Sequence, residues 1–173
     1  MDVEDGTGLP GANSYLSVAD ADAYWAARAN AAWAAATLSA KEAALVTASM
    51  YIDLRWGNGV PGTPVSPTQA LVFPRHGLPP CAQGAVLPRR LKAAVAEYAA
   101  IALAGPLAPT PELSARTKYR VKVGPIEEET MYSDGLAGGG VSGMWRRYPY
   151  GDALMGCLAN RLSGANQGRQ MRA

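Results

Sequence analysis

Hydrophobic positions in the first hundred residues recur at helical spacing, between clusters of turn-forming residues. Ser17 is a favoured N-cap residue, and the positions after it predict a helix from Val18 to Asn30. Ser39 and Glu42 have the spacing of a capping box. The apolar face beyond them predicts a second helix, from Ala40 to about Arg55.

Proline and glycine punctuate the next stretch. Ser66 followed by Pro67 has the form of a helix start, and Pro74 limits that helix to a short one. A longer apolar stripe predicts a helix over Pro88–Ala104, which Gly105 ends.

Residues after 106 change to alternating polar and apolar positions, which is typical of strands. The strand candidates are Arg116–Val123 and Ile126–Tyr132, and we expect them to pair as a loose hairpin. In the attractive register, opposite charges face each other: Lys122 with Glu127, and Arg120 with Glu129.

The last third contains a glycine loop over Ser133–Gly143, a short helix predicted for Gly151–Leu162, and a polar tail. The predicted fold is mainly α: a small helical bundle with a β-hairpin and extended N- and C-terminal arms. Residues 1–105 form the predicted helical core with the N-terminal arm. Residues 106–173 hold the hairpin, the glycine loop and the C-terminal arm.

Composition qualifies this picture. The chain has 33 alanines, 19 glycines and 13 prolines among its 173 residues, and one phenylalanine. Because alanine buries little area, the helices gain modest hydrophobic stabilisation alone, which favours burial against neighbouring copies. No apolar stretch reaches the 18 residues that a membrane span needs, so no membrane partner is expected.

Charge and cysteine content limit the function classes. The formal net charge is +2, which is mild for a dedicated nucleic-acid binder. Cys81 and Cys157 cannot form a disulfide scaffold, and two free thiols in a reduced compartment are the simpler interpretation.

The search for catalytic chemistry finds little. His76 is the only histidine, and neither a metal site nor a Cys–His nucleophile is supported by its pairing with Cys81 alone. Gly138, Gly140 and Gly143 match a dinucleotide fingerprint, but no helix start follows them. We therefore expect no catalytic residue, no metal and no cofactor, and the protein is not predicted to be an enzyme.

The most conspicuous cluster combines aromatic and arginine side chains: Trp145, Arg146, Arg147, Tyr148 and Tyr150. Such residues are enriched at interface hot spots and also bind single-stranded nucleic acid. A place in the core is the third alternative, and we rank interface first, core second and nucleic acid third. Arg89 and Arg90 are further candidate contacts, since they lie at the dipole end that disfavours cations.

An ordered set of motifs resembles a tailed-phage protein family labelled "DnaT-like single-stranded DNA-binding". The matching motifs span nearly the whole chain: residues 3–24, Lys41–Leu45, Tyr51–Asp53, Gln69–Leu71, Phe73–Arg75, Pro88–Ala94, Val123–Glu127 and Tyr148–Pro149.

The resemblance implies a bacteriophage virion protein, the head–tail connector or adaptor in the neck. Its subunits would form a homo-oligomeric ring, usually twelvefold, between the portal protein and a downstream tail or stopper protein. Genomic DNA would pass through the lumen without sequence readout, and the chain would be made in the host cytoplasm. The alternative is that of the family label, a single-stranded DNA-binding protein of the replication type.

Overall fold

The structure is a computed structural model, and it describes residues 1–108, 118–123, 126–131 and 145–159. The chain divides into two compact units, and each is described by itself. The first, here called the helical unit, comprises Met1–Leu107 and Arg147–Leu162; the second comprises Ala108–Arg146 and Ser163–Ala173. The prediction of a mainly α fold with a β-hairpin is confirmed.

The described part of the helical unit contains five α-helices: α1 Val18–Ala26, α2 Ala31–Ala35, α3 Leu38–Trp56, α4 Arg89–Ala104 and α5 Pro149–Met155. Two short 3-10 helices cover Gly57–Gly59 and Pro80–Ala82. Two short antiparallel strands, β1 Thr63–Pro64 and β2 Arg75–His76, pair in the loop region before α4. No described helix is both long and apolar enough to cross a membrane.

The first predicted helix is shorter than expected, and a short helix that was not predicted follows it. Ser17 caps α1 as predicted, because its side chain accepts a hydrogen bond from Asp20 N at 3.1 Å. However, α1 ends early, and Ala29 adopts a positive φ of 51°. Asn30 then caps α2 by accepting from Trp33 N at 3.1 Å. Asparagine favours an N-cap over a helix interior, which explains the break.

Two other predicted helix starts are wrong. The cap of α3 is Thr37, whose side chain accepts from Ala40 N at 3.3 Å, so Ser39 does not form the capping box. No helix follows Ser66. Instead, the side chain of Gln69 accepts a bond from Ser66 N and donates to three carbonyl groups further along the chain. Side-chain hydrogen bonds thus replace helical ones there.

The core lies where α3 packs against α4. Leu45 and Ile52 of α3 and Leu91 and Val95 of α4 are fully buried. Their spacings of seven and four residues keep each pair on one helix face. The helix α4 matches the predicted one to within a residue, with Pro88 as its N-cap.

The N-terminal segment is irregular, as predicted, and it is folded into the helical unit. The carboxylate of Glu4 is buried and accepts hydrogen bonds from the backbone N–H groups of Gly6, Gly8 and Leu9, each at 2.9 Å. Tyr15 is also buried. Backbone donors thereby compensate the cost of removing the Glu4 charge from water.

In the second unit, β3 (Lys118–Val123) pairs with the antiparallel β4 (Ile126–Met131). The register places Lys122 opposite Glu127 and Arg120 opposite Glu129, which confirms the predicted pairing of these positions.

Candidate nucleic-acid interface

The aromatic–arginine segment, residues 145–150, presents some side chains to solvent and buries one. Arg146, Arg147 and Tyr150 are exposed, and Tyr150 keeps 79% of its surface accessible. Trp145 is half-buried. Trp145 and Arg146 belong to the second unit, whereas the segment from Arg147 onward belongs to the helical unit.

Tyr148 lies in the core of the helical unit. Its ring packs edge-on against Tyr51 and Tyr98, with centroids 6.0 Å apart in both pairs. Its hydroxyl donates a hydrogen bond of 2.7 Å to the carbonyl oxygen of Leu107. Tyr148 is therefore a core residue of the helical unit, which corresponds to the core alternative weighed for this cluster.

The buried carboxylate of Asp152 fixes α5 in place. Its Oδ2 accepts from Arg55 Nη2 at 2.7 Å, and its Oδ1 accepts from the Tyr98 hydroxyl at 2.8 Å. The Tyr148 N–H donates to Oδ2 at 3.2 Å. Three elements of the helical unit, α3, α4 and the start of α5, thus meet at one carboxylate, and α5 carries the exposed Tyr150 at a set position.

Close packing accompanies this charge network. A Cβ atom at Gly151 would lie 2.7 Å from the Tyr98 ring, so only glycine allows α5 to approach α4 this closely. Burial raises the pKa of Tyr98, and the hydrogen bond to Asp152 raises it further. Burial also raises the pKa of Tyr51 to about 12. Both hydroxyls therefore stay protonated at neutral pH; that of Tyr98 donates to Asp152, and that of Tyr51 accepts from Arg55 Nη1.

A disulfide links the residues just after α5 to the loop region before α4. Cys81, in the second 3-10 helix, pairs with Cys157, just after α5, and their Cα atoms are 6.5 Å apart. The prediction of two free thiols is therefore wrong. The reason is tertiary: the docking of α5 brings together two residues that are 76 positions apart in the chain.

Arg89 and Arg90 are exposed in the first turn of α4. They stand at least eight residues before Tyr98, which contacts the start of α5, and this distance along the helix is about 12 Å. The structure does not bring these two arginines together with the start of α5, so they form a separate basic position on the helical unit.

The lone histidine, His76, is exposed in β2. Among the described residues, no group of three His, Cys, Asp or Glu side chains is placed to hold a metal ion.

Over its full length, residues 1–173, the chain matches the family described as "Putative DnaT-like ssDNA binding protein". The chain belongs to this family. No curated protein and no solved structure matches the chain.

The family description points to DNA binding, so the prediction of a phage head–tail connector is wrong. The predicted ring and its portal and tail partners find no support in that description, whereas DNA as a partner does. The prediction failed because it weighed the net charge of the whole chain. Residues 1–108 carry seven basic and eight acidic side chains, whereas residues 145–173 carry five arginines and one acid. Residues 145–173 are therefore strongly basic, although the net charge of the whole chain is only +2.

The anchoring network of α5 was not predicted from the sequence. Arg55 and Asp152 are 97 positions apart, and each is unremarkable in its own helix. One signal was available: Asp152 follows a proline by three residues, as an acid in a first helical turn does, and this would have moved the helix start to Pro149.

Proposed function

We propose that the chain binds single-stranded DNA and that the aromatic–arginine segment is its principal contact. The observation that carries this proposal is Tyr150, a large aromatic ring that is 79% exposed on a firmly anchored helix, three residues after Arg147. The full-length family match supports the class of ligand.

The chemistry of these side chains suits an unpaired strand. An exposed aromatic face stacks on any base, which contributes about 1–3 kcal/mol per base. Arginines neutralise phosphates and release counterions, which supplies most of the sequence-independent affinity. In the sequence, Arg146 and Arg147 lie between Trp145 and Tyr150, so cations for phosphates and rings for bases occur within six residues.

The charge distribution favours the same end of the chain. The five arginines of residues 145–173 and their single acid give this stretch a net charge of +4. Residues 1–108, with a net charge of −1, offer no comparable attraction for phosphate. We therefore infer that the first 108 residues act mainly as a scaffold and that the basic stretch supplies most of the electrostatic affinity.

Fluorescence anisotropy of a labelled oligo(dT) with the full chain tests the aromatic contact. We expect Tyr150→Ala to weaken binding by about fivefold to a hundredfold, the loss of one stacked base. Tyr150→Phe is the matched control, since it keeps the ring and should keep the affinity. Equal affinities of the alanine variant and the wild type would contradict the role of Tyr150.

Salt dependence tests the arginine contact. For a single strand, log K against log salt has a slope of about −0.7 for each phosphate neutralised. Arg147→Gln is expected to make the slope shallower by about that amount. Arg90→Gln removes the same charge from the start of α4 and should change the slope less. Equal changes in both variants would show that only total charge matters, against a localised site.

A further inference from the structure

One side of α3 presents a stripe of uncharged side chains to solvent. Ala43, Thr47, Met50 and Leu54 follow one another at helical spacing, which places them on one face, and all four are exposed. Met50 keeps 57% of its surface accessible and Leu54 keeps 64%. These four residues are named the α3 stripe. Large apolar side chains grouped on one exposed face indicate an interaction surface, whereas scattered ones need no explanation.

The α3 stripe can be covered without burying an unpaired polar side chain. Its one polar side chain, that of Thr47, already donates from its hydroxyl to the Ala43 carbonyl oxygen at 2.8 Å. Covering the stripe therefore carries little desolvation cost. The charged residues of α3 lie off the stripe, and three of them are bound within the chain: Lys41 to Asp22, Asp53 to the Val72 N–H, and Arg55 to Asp152.

Side-chain size changes along the stripe in a way that suits a second copy of the same helix. The two residues nearer the N-terminus of α3 are small, and the two nearer its C-terminus are large. A two-fold axis midway along the stripe would place Ala43 opposite Leu54 of a second copy, and Thr47 opposite its Met50. Each large side chain then meets a small one, as interdigitating helix contacts require. A parallel pair would instead place large side chains against large ones.

We propose that the α3 stripe is the contact between two copies of this chain, packed antiparallel about that axis. This inference goes beyond DNA binding and does not rest on it. A face that carries a charge meets the same charge when it packs on itself, whereas the uncharged stripe avoids this repulsion. A two-fold contact is complete with two copies, so it differs from the head-to-tail contacts of a ring.

The length of the contact sets its strength. From Ala43 to Leu54 the stripe covers about 16 Å of helix. Stable interfaces bury about 1,200–2,000 Å² in total, more than two helices in contact over this length provide. The dimer is therefore expected to be weak and to dissociate on dilution, with Met50 and Leu54 supplying most of its apolar contact.

Sedimentation velocity of the full chain over a range of concentrations tests the contact. The wild type should shift from monomer to dimer as its concentration rises. Leu54→Gln should weaken this association about a hundredfold, which is about tenfold for the leucine of each copy. Circular dichroism checks that the variant is folded.

Leu38→Gln is the matched control for the same experiment. Leu38 also belongs to α3 and is 63% exposed, but it lies about 160° around the helix from Leu54. The control should therefore associate as the wild type does. Equal losses in the two variants would overturn the assignment of the stripe, and so would a wild type that stays monomeric at every concentration.

Charge complementation tests the antiparallel register. Ala43→Glu and Leu54→Lys each put an uncompensated charge into the contact, so neither variant should dimerise alone. Their mixture should dimerise, because the new carboxylate of one copy would face the new ammonium group of the other. A mixture that remains as monomeric as its components would overturn the antiparallel contact.

DNA binding is measured separately, with an oligo(dT) too short for two copies. The α3 stripe shares no residue with the aromatic–arginine segment, so Leu54→Gln should bind this oligonucleotide as the wild type does. If the chain dimerises through the stripe but does not bind oligo(dT), the proposed function fails and the dimer stands. If it binds oligo(dT) but never dimerises, the dimer fails and the proposed function stands.

Discussion

Replacing Asp152 by alanine tests how α5 is held on the helical unit. The carboxylate is 3% exposed and the Arg55 side chain 10% exposed, so their ion pair is shielded from solvent. The same carboxylate also accepts from the Tyr98 hydroxyl and the Tyr148 N–H. The substitution removes these three acceptor contacts at once and takes the Asp152 counter-charge away from a buried guanidinium.

The expected cost follows from this burial. Removing one partner of a buried ion pair typically destabilises a protein by about 3–5 kcal/mol, far more than the ~0–1 kcal/mol of an exposed pair. Tyr98→Phe removes one of the hydrogen bonds and keeps the ring, so it should cost about 1 kcal/mol. Asp152→Asn keeps the shape of the side chain and should fall between these two values.

Urea denaturation followed by circular dichroism measures the free energy of unfolding of each variant. Hydrogen exchange adds the location: if Asp152 anchors α5, the amides of α5 should exchange faster in Asp152→Ala even where those of α3 and α4 remain protected. A loss below about 1 kcal/mol, together with unchanged exchange in α5, would refute the anchoring role.

Three further predictions concern the same unit. Gly151→Ala should lower stability by about 1–3 kcal/mol, since the added methyl group would meet the Tyr98 ring; thermal denaturation checks this, and an unchanged melting temperature would contradict the close packing. Cys157→Ser should cost about 4 kcal/mol, because the disulfide with Cys81 closes a loop with a separation of 76 residues; urea denaturation with and without reductant should show the reductant affecting the wild type only. Burial raises the pKa of Asp53 to about 6, so the folded chain binds this proton more tightly than the unfolded chain. The free energy of unfolding should therefore fall by about 3 kcal/mol as the pH rises from about 4 to about 6, and Asp53→Asn should flatten this slope in a pH series of denaturation curves; a rise with pH would contradict the assignment.

Helices with a local signal were predictable from the sequence. The long apolar stripes of α3 and α4 and the cap at Ser17 are encoded within a few residues, and each led to an element in nearly the right place. The hairpin register was also accessible, because opposite charges at matching positions indicate which residues face each other. Errors arose where several caps competed, as Thr37 did with Ser39.

The candidate interface could be predicted only as a list of residue types. Its aromatic and arginine side chains were visible in the sequence, but nothing local indicates that Tyr148 turns inward while Tyr150 stays exposed. That difference depends on Asp152 and its partner Arg55, which lie 97 positions apart. Long-range contacts of this kind leave no periodic pattern, so the disulfide between Cys81 and Cys157 was missed for the same reason.

The structure changes the interpretation of the alanine content. Because each alanine buries little apolar area, the sequence favoured a subunit that completes its core against neighbouring copies. However, Leu45, Ile52 and Leu91 at the contact between α3 and α4 are already fully buried within the single chain. The unfilled volume lies instead beside Trp25 and Trp33, where alanines of α1 and α2 face two large rings. Small side chains therefore leave unfilled volume within one chain, so a high alanine content does not by itself require burial against a second subunit.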